Sequence, residues 1–77
     1  MKKYTVCTAL NKRQNEIFAA LDNNDVSKAK QIAYECLDDP MIIDRKAVAT
    51  AKTAFANPNQ NHFLSALMTY MTCMAVG

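Results

Sequence analysis

Residues 57–77 read NPNQNHFLSALMTYMTCMAVG, and from Thr53 to Gly77 the chain contains no Asp, Glu, Lys or Arg. The nine basic and seven acidic residues all fall between Lys2 and Lys52. A helix built from this last quarter has no charged side to solvate it, so it cannot stand alone on a surface. It must be the central element of a small fold, a self-association surface, a partner-binding surface or a membrane-contacting piece. Placed on a helical wheel, Phe63, Leu67, Met68, Tyr70, Met71 and Met74, with Leu64, cover an arc of about 160°. Ser65, Thr69 and Thr72, joined by Val76, form the narrow opposite strip.

The membrane reading is the easiest to set aside. About 14 apolar-rich residues fall short of the roughly 20 that a spanning helix needs. An interfacial helix wants Lys or Arg beside its apolar face, and this one has neither. Two readings stay open. An apolar helical stripe is ordinarily core. Three Met at Met68, Met71 and Met74 also make an adaptable contact face, because Met is unbranched and polarizable.

Working outward, the rest of the chain also reads as helical. Asn57-Pro58 punctuates the start of this last helix, which is expected over Pro58–Val76. The helix before it begins either at Asp39-Pro40 or after MII with Asp44 as its cap, and runs to about Ala56. Ala47, Val48, Ala51 and Phe55 share one of its faces. Upstream, Asp25 caps a helix expected over Val26–Asp38, with Val26, Ala29, Ile32, Ala33, Cys36 and Leu37 inward. The first helix is expected to run unbroken from Thr5 or Thr8 to Asp22. Its Val6, Leu10, Ile17 and Leu21 lie within roughly 60° of one another, and Asn23-Asn24 ends it. The expectation is an all-α, compact single-domain bundle of about four short helices, with residues 1–77 forming one domain.

LDNNDVSKAKQIAYECL, residues 21–37, resembles the middle of a tetratricopeptide-type helical hairpin. Arg13, Glu16 and Ala20 stand roughly where that resemblance expects them. Such repeats need several copies to bury a continuous core, and this chain has one. The resemblance therefore implies an αα-hairpin and nothing more.

Composition narrows the chemistry. Seventy-seven residues bury only about 60–65% of their unfolded surface, so stability is modest without a supplement. Cys7, Cys36 and Cys73 are odd in number and widely spaced, which argues against a disulfide framework. Lys2-Lys3 imitate a signal n-region, but YTVCTAL is short and Thr-rich. Val6 before Cys7 also spoils a lipoprotein cleavage site. The expected setting is cytoplasmic, with reduced thiols. A catalytic site needs a nucleophile, a base and an oxyanion donor together. The one His, His62, lies in a polar Asn/Gln run, and the cysteines lack zinc-ligand spacing. Gly77 is the only Gly, so no phosphate loop exists. No enzyme, metal or cofactor is expected.

The functional expectation is a small non-enzymatic protein-binding module that occupies a surface of a partner macromolecule. Adaptors, transcriptional modulators, antitoxin-like proteins and phage-type inhibitors of a host or defence protein all work this way. The partner is another protein or a second copy in a homodimer. Phe63, Leu67, Met68, Tyr70, Met71 and Met74 supply burial, and Arg45, Lys46 and Lys52 supply orientation. The alternative is a DNA/RNA-binding regulator using Lys28 and Lys30 of the second helix, or Arg45, Lys46 and Lys52 of the third, on phosphates. Against it, Asp38, Asp39 and Asp44 sit immediately upstream of the third helix.

Overall fold

A computed structural model describes residues 3–72 as a single all-α domain. Its helices are α1 (Val6–Asn11), α2 (Gln14–Asp22), α3 (Val26–Leu37), α4 (Arg45–Phe55) and α5 (Gln60–Met71). The body measures 35 × 23 × 23 Å. Among the described residues no helix is long and apolar enough to cross a membrane.

Helix starts follow side-chain caps. Thr5 accepts from the Thr8 N–H, Asp25 from the Lys28 N–H, and Asp44 from the N–H groups of Lys46 and Ala47. Each satisfies donors that a first helical turn leaves free. The α2–α3 hairpin turns at Asn24, whose φ of 59° is the left-handed conformation Asn tolerates better than most residues. α2 packs chiefly on α3, while α5 packs on α4 and α1 and more lightly on α3. One continuous core results, centred on Leu10, Ile17, Leu37, Phe55, Phe63 and Leu67.

Two expectations are corrected and one open choice is decided. The first helix is not continuous: it breaks at Lys12-Arg13, where Arg13 adopts φ −119° and ψ 25°. Arg13 N–H bonds back to the Leu10 carbonyl in a tighter turn. Tertiary bonds replace the lost helical one, as described below. Second, of the two starts left open for the helix before the last, the one after Asp44 is taken and Asp39 caps no helix. It accepts from the Met41 N–H at 2.9 Å and from the Tyr4 hydroxyl, and α4 starts after Asp44. Third, α5 begins after Asn59 and not at Pro58. Asn57 accepts from the Asn59 N–H in a local turn, and Asn59 accepts from Asn61 and His62. The helix ends at Met71, with Thr72 already outside helical geometry at φ −102° and ψ 68°. The expected extension to Val76 falls on residues 73–77, outside the described ones.

The chain start is strapped across the α3–α4 loop. Tyr4 pairs with Ile42 as an isolated parallel bridge, its N–H donating to the Met41 carbonyl and its carbonyl accepting from the Ile43 N–H.

Candidate interaction surface

α5 divides into two faces. Phe63 and Leu67 are fully buried and Met71 is 8% exposed, so these three belong to the core rather than to a surface. Tyr70 is half-buried, its ring edge-on to Phe55 at 5.8 Å. Met68 is 44% exposed, and Met74 lies outside the described residues. Of the apolar residues expected to bind a partner, Met68 is the one presented to solvent among those described.

Around Met68 the outer face of α5 carries exposed Asn61, Ser65, Thr69 and Thr72. The Thr69 hydroxyl donates to the Ser65 carbonyl at 2.9 Å, and the Thr72 hydroxyl to the Met68 carbonyl at 2.8 Å. On neighbouring α4, exposed Thr53 donates likewise to the Ala49 carbonyl at 3.1 Å, flanked by exposed Ala49, Thr50 and Ala56. Hydroxyl donors already bonded within their own helix lose little when covered. From Thr53 to Thr72 the chain itself carries no formal charge. Depletion of charge at the centre is the compositional mark of a protein–protein contact.

The basic residues are largely engaged within the fold. Arg13 holds Glu16 through two bonds of 2.8 and 2.9 Å and Glu35 through a third of 2.7 Å. This fork joins the α1–α2 break to α3 and raises the Arg13 pKa, while the Arg13 bonds hold the Glu16 carboxyl below its ordinary value. Lys52 pairs with Asp38 at 3.1 Å, and Arg45 donates to the Asp39 carbonyl at 3.2 Å. The Lys12 ammonium donates to the Tyr4 hydroxyl at 3.1 Å and lies over its ring. That bond raises the Lys12 pKa, and the Tyr4 bond followed by the Met41 N–H lowers that of Asp39. The Lys30 ammonium sits 5.3 Å from the Phe63 ring. Lys46 is exposed in the first turn of α4 beside its Asp44 cap. Arg45, Lys46 and Lys52 are thus on one helix, but two of the three already have partners.

Cys36 is a free, buried thiol, and burial pushes its pKa up, away from the reactive thiolate. His62 is exposed on the first turn of α5. Cys7 is disulfide-bonded, which corrects the expectation of reduced thiols. An open groove at the α2–α3 turn is lined by Glu16, Ala19, Ala20, Asn23, Asp25 and Lys28. Its Glu16 is held by Arg13 and its Asp25 caps α3. Among the described residues no three His, Cys, Asp or Glu side chains converge where a metal ion would sit.

Several features were not read from the sequence. Asn11 donates to the Cys7 carbonyl at 3.0 Å and the Met71 carbonyl at 3.1 Å, pinning the end of α1 to the end of α5. A lone Asn near a helix end carries no signal of such a long-range bond. Phe18 and Ile43 are 38% and 61% exposed, on α2 and the α3–α4 loop. No protein-family model, characterised protein or solved structure matches the chain. The fold and its surfaces are therefore the ground for any functional reading.

Proposed function

We propose that this chain is a small non-enzymatic protein-binding module, acting by occupying a surface of a partner macromolecule through the outer face of α5. The observation that carries this reading is the exposed Met68 on a helix whose own outward residues, Asn61, Ser65, Thr69 and Thr72, carry no formal charge, with both threonine hydroxyls bonded internally. Covering it strips no charged group of water, which removes the main penalty of polar contacts. Met68 supplies an adaptable apolar centre. Arg45 and Lys46, exposed at the start of the adjacent helix, orient a partner at the rim. Adaptors, regulators and phage-type inhibitors of host or defence proteins all act by this kind of surface occupation. The non-enzymatic reading is supported by the burial of the Cys36 thiol and by the ion pairs that hold Arg13, Glu16, Glu35 and Asp38.

The test is affinity capture from the native host's lysate, with and without nuclease, using the wild type and Met68→Glu. The expected result is a protein that survives nuclease, is retained by the wild type and is lost from the variant, with far-UV circular dichroism unchanged. Capture that Met68→Glu leaves intact overturns the assigned surface. Capture that vanishes with nuclease replaces it with nucleic-acid binding through the basic residues.

A further inference from the structure

We propose that Lys3 and Tyr4 form a clasp over the α3–α4 loop that opens as a unit while the helices stay folded, with the Asp39 carboxylate as its acid-sensitive lock. The clasp is independent of the α5 surface and of the binding-module reading. Its main-chain part is small. The Tyr4 N–H donates to the Met41 carbonyl at 3.0 Å, and the Ile43 N–H donates to the Tyr4 carbonyl at 2.8 Å. Lys3 is exposed and Thr5 stays with α1 as its cap, so Tyr4 is the residue that attaches the segment to the loop. Even a full two-stranded hairpin is marginal in water by itself. Side chains must therefore hold this single bridge shut.

Asp39 ties the two sides of the bridge together. One of its oxygens accepts from the Met41 N–H at 2.9 Å and shapes the loop, and the other accepts from the Tyr4 hydroxyl. That hydroxyl accepts in turn from the Lys12 ammonium at 3.1 Å, which also lies 4.9 Å from the centre of the Tyr4 ring. An ammonium can only donate, so the phenol proton points at Asp39. Bonds to an ionised acceptor are roughly twice as strong as neutral ones, and protonation of Asp39 removes that advantage. The other titratable and charged groups near it are engaged elsewhere or buried. Cys36 of α3 is a buried thiol, Asp38 is held by Lys52 of α4 at 3.1 Å, and Arg45 of α4 bonds the main-chain carbonyl of Asp39 at 3.2 Å. Lys12 is the charge that acts on the Asp39 carboxyl itself.

The direction follows from the same contacts. The Tyr4 hydroxyl first, and then the Met41 N–H, hold the Asp39 carboxyl below its ordinary value. The carboxylate thus favours the closed form, which is fully locked above about pH 4 and loosens as pH falls from there. Opening frees the Met41 carbonyl and the Ile43 N–H, and draws the half-buried Tyr4 ring away from the core cluster that contains Ile42. A segment with so few buried contacts opens at a lower free energy than the whole domain.

Amide hydrogen exchange of the full chain, followed residue by residue by NMR and expressed as protection factors, tests it. The Tyr4 and Ile43 N–H groups report the clasp, and the Ile42 N–H, bonded to the Asp39 carbonyl at 3.3 Å, reports the loop. Amides within α3 and α4 report the bundle. Near neutral pH, Asp39→Asn keeps an oxygen for the Met41 N–H but loses the charge, and Tyr4→Phe loses the hydroxyl. Each is expected to lower protection at positions 4 and 43 roughly 10–100-fold, with Ile42 and the bundle unchanged. Between about pH 6 and pH 3 the wild type is expected to lose protection at those two amides before the bundle does, and Asp39→Asn to show no such step. Amides at Tyr4 and Ile43 that exchange freely in the neutral wild type overturn the proposal. So does protection that both variants retain, bundle amides that fall together with the clasp, or a wild type indifferent to acid.

Discussion

Phe55 is the side chain on which the two halves of the bundle depend, and replacing it gives a quantitative check of the packing. It is fully buried, and its ring lies edge-on to Tyr34 at 6.3 Å, Phe63 at 5.5 Å and Tyr70 at 5.8 Å. It thereby joins α4 to α3 and, twice, to α5. A chain of this length has a total stability of roughly 4–12 kcal/mol. Phe55→Ala costs about 3–5 kcal/mol through lost burial and the cavity left behind, enough to consume most of that. Phe55→Leu is the sharper test, since it keeps much of the volume and removes the ring-edge contacts, each worth about 0.5–1.5 kcal/mol. The expected cost is about 2–3 kcal/mol, and at about 4–8 °C per kcal/mol the midpoint falls by roughly 10–20 °C. Urea and thermal unfolding followed by far-UV circular dichroism read this directly, with Phe18→Leu, at a 38% exposed position, as the control. A Phe55→Leu midpoint within 2 °C of wild type, or a control equally damaged, would refute the packing argument; that limit is roughly the effect of a surface substitution.

Other outcomes follow from the same contacts. Met71→Asp places a carboxylate in the core and is expected to unfold the chain, a buried unpaired charge costing several kcal/mol, whereas Met68→Asp keeps full helicity. Equal loss of helicity in both would show that α5 has no outer face. The Glu16 and Asp39 carboxyls are held below their ordinary values, so the stability they contribute is complete above about pH 4.5 and is lost as pH falls from there. Thermal midpoints across this range should therefore drop on the acid side, and less steeply in Glu16→Gln; an identical acid slope in the variant removes Glu16 from the account. Because Cys7 is disulfide-bonded, non-reducing peptide mapping should recover it in a disulfide-linked peptide. Reduction should then lower stability by about 2–5 kcal/mol, as loss of a ring-closing bond does in small domains. Recovery of Cys7 as a free thiol from air-oxidised protein would contradict the pairing.

The sequence made the helices legible where a local rule decides them. Asp25 and Asp44 cap where their spacing predicted, and Ala29, Ile32, Ala33, Cys36 and Leu37 are buried on the inward face that their period assigns. It was less informative where distant partners decide. The break at Lys12-Arg13 exists because Arg13 reaches Glu35 and Asn11 reaches Met71, and neither partner is visible from local periodicity. Asn57-Pro58-Asn59 holds two overlapping start signals, and the second prevails because Asn59 is the residue that accepts from Asn61 and His62. For α5 the wheel gave the apolar arc but not its cover. Packing from α1 and α4 buries Phe63, Leu67 and Met71 and leaves Met68 beyond their reach. The candidate surface was thus half legible: the neutral strip could be read from composition, but its division from the core could not.

The partition of charge along the chain then becomes a physical statement about where contact costs least. Charged residues of the first two-thirds fasten the fold from outside, with Arg13 across to Glu35, Lys52 to Asp38, and Lys12 through Tyr4 to Asp39. A partner docking on those faces would have to strip water from groups already bonded elsewhere, and ion pairs disturbed in this way return little of what their desolvation costs. On α5 the Thr69 and Thr72 hydroxyls are returned to their own backbone, and among the described residues Met68 is the large apolar side chain exposed there. A contact made there draws on burial rather than on charge, so its affinity should change little with salt. Phosphate tracking by Arg45, Lys46 and Lys52 would instead weaken steeply, and that contrast separates the two mechanisms without knowledge of the partner.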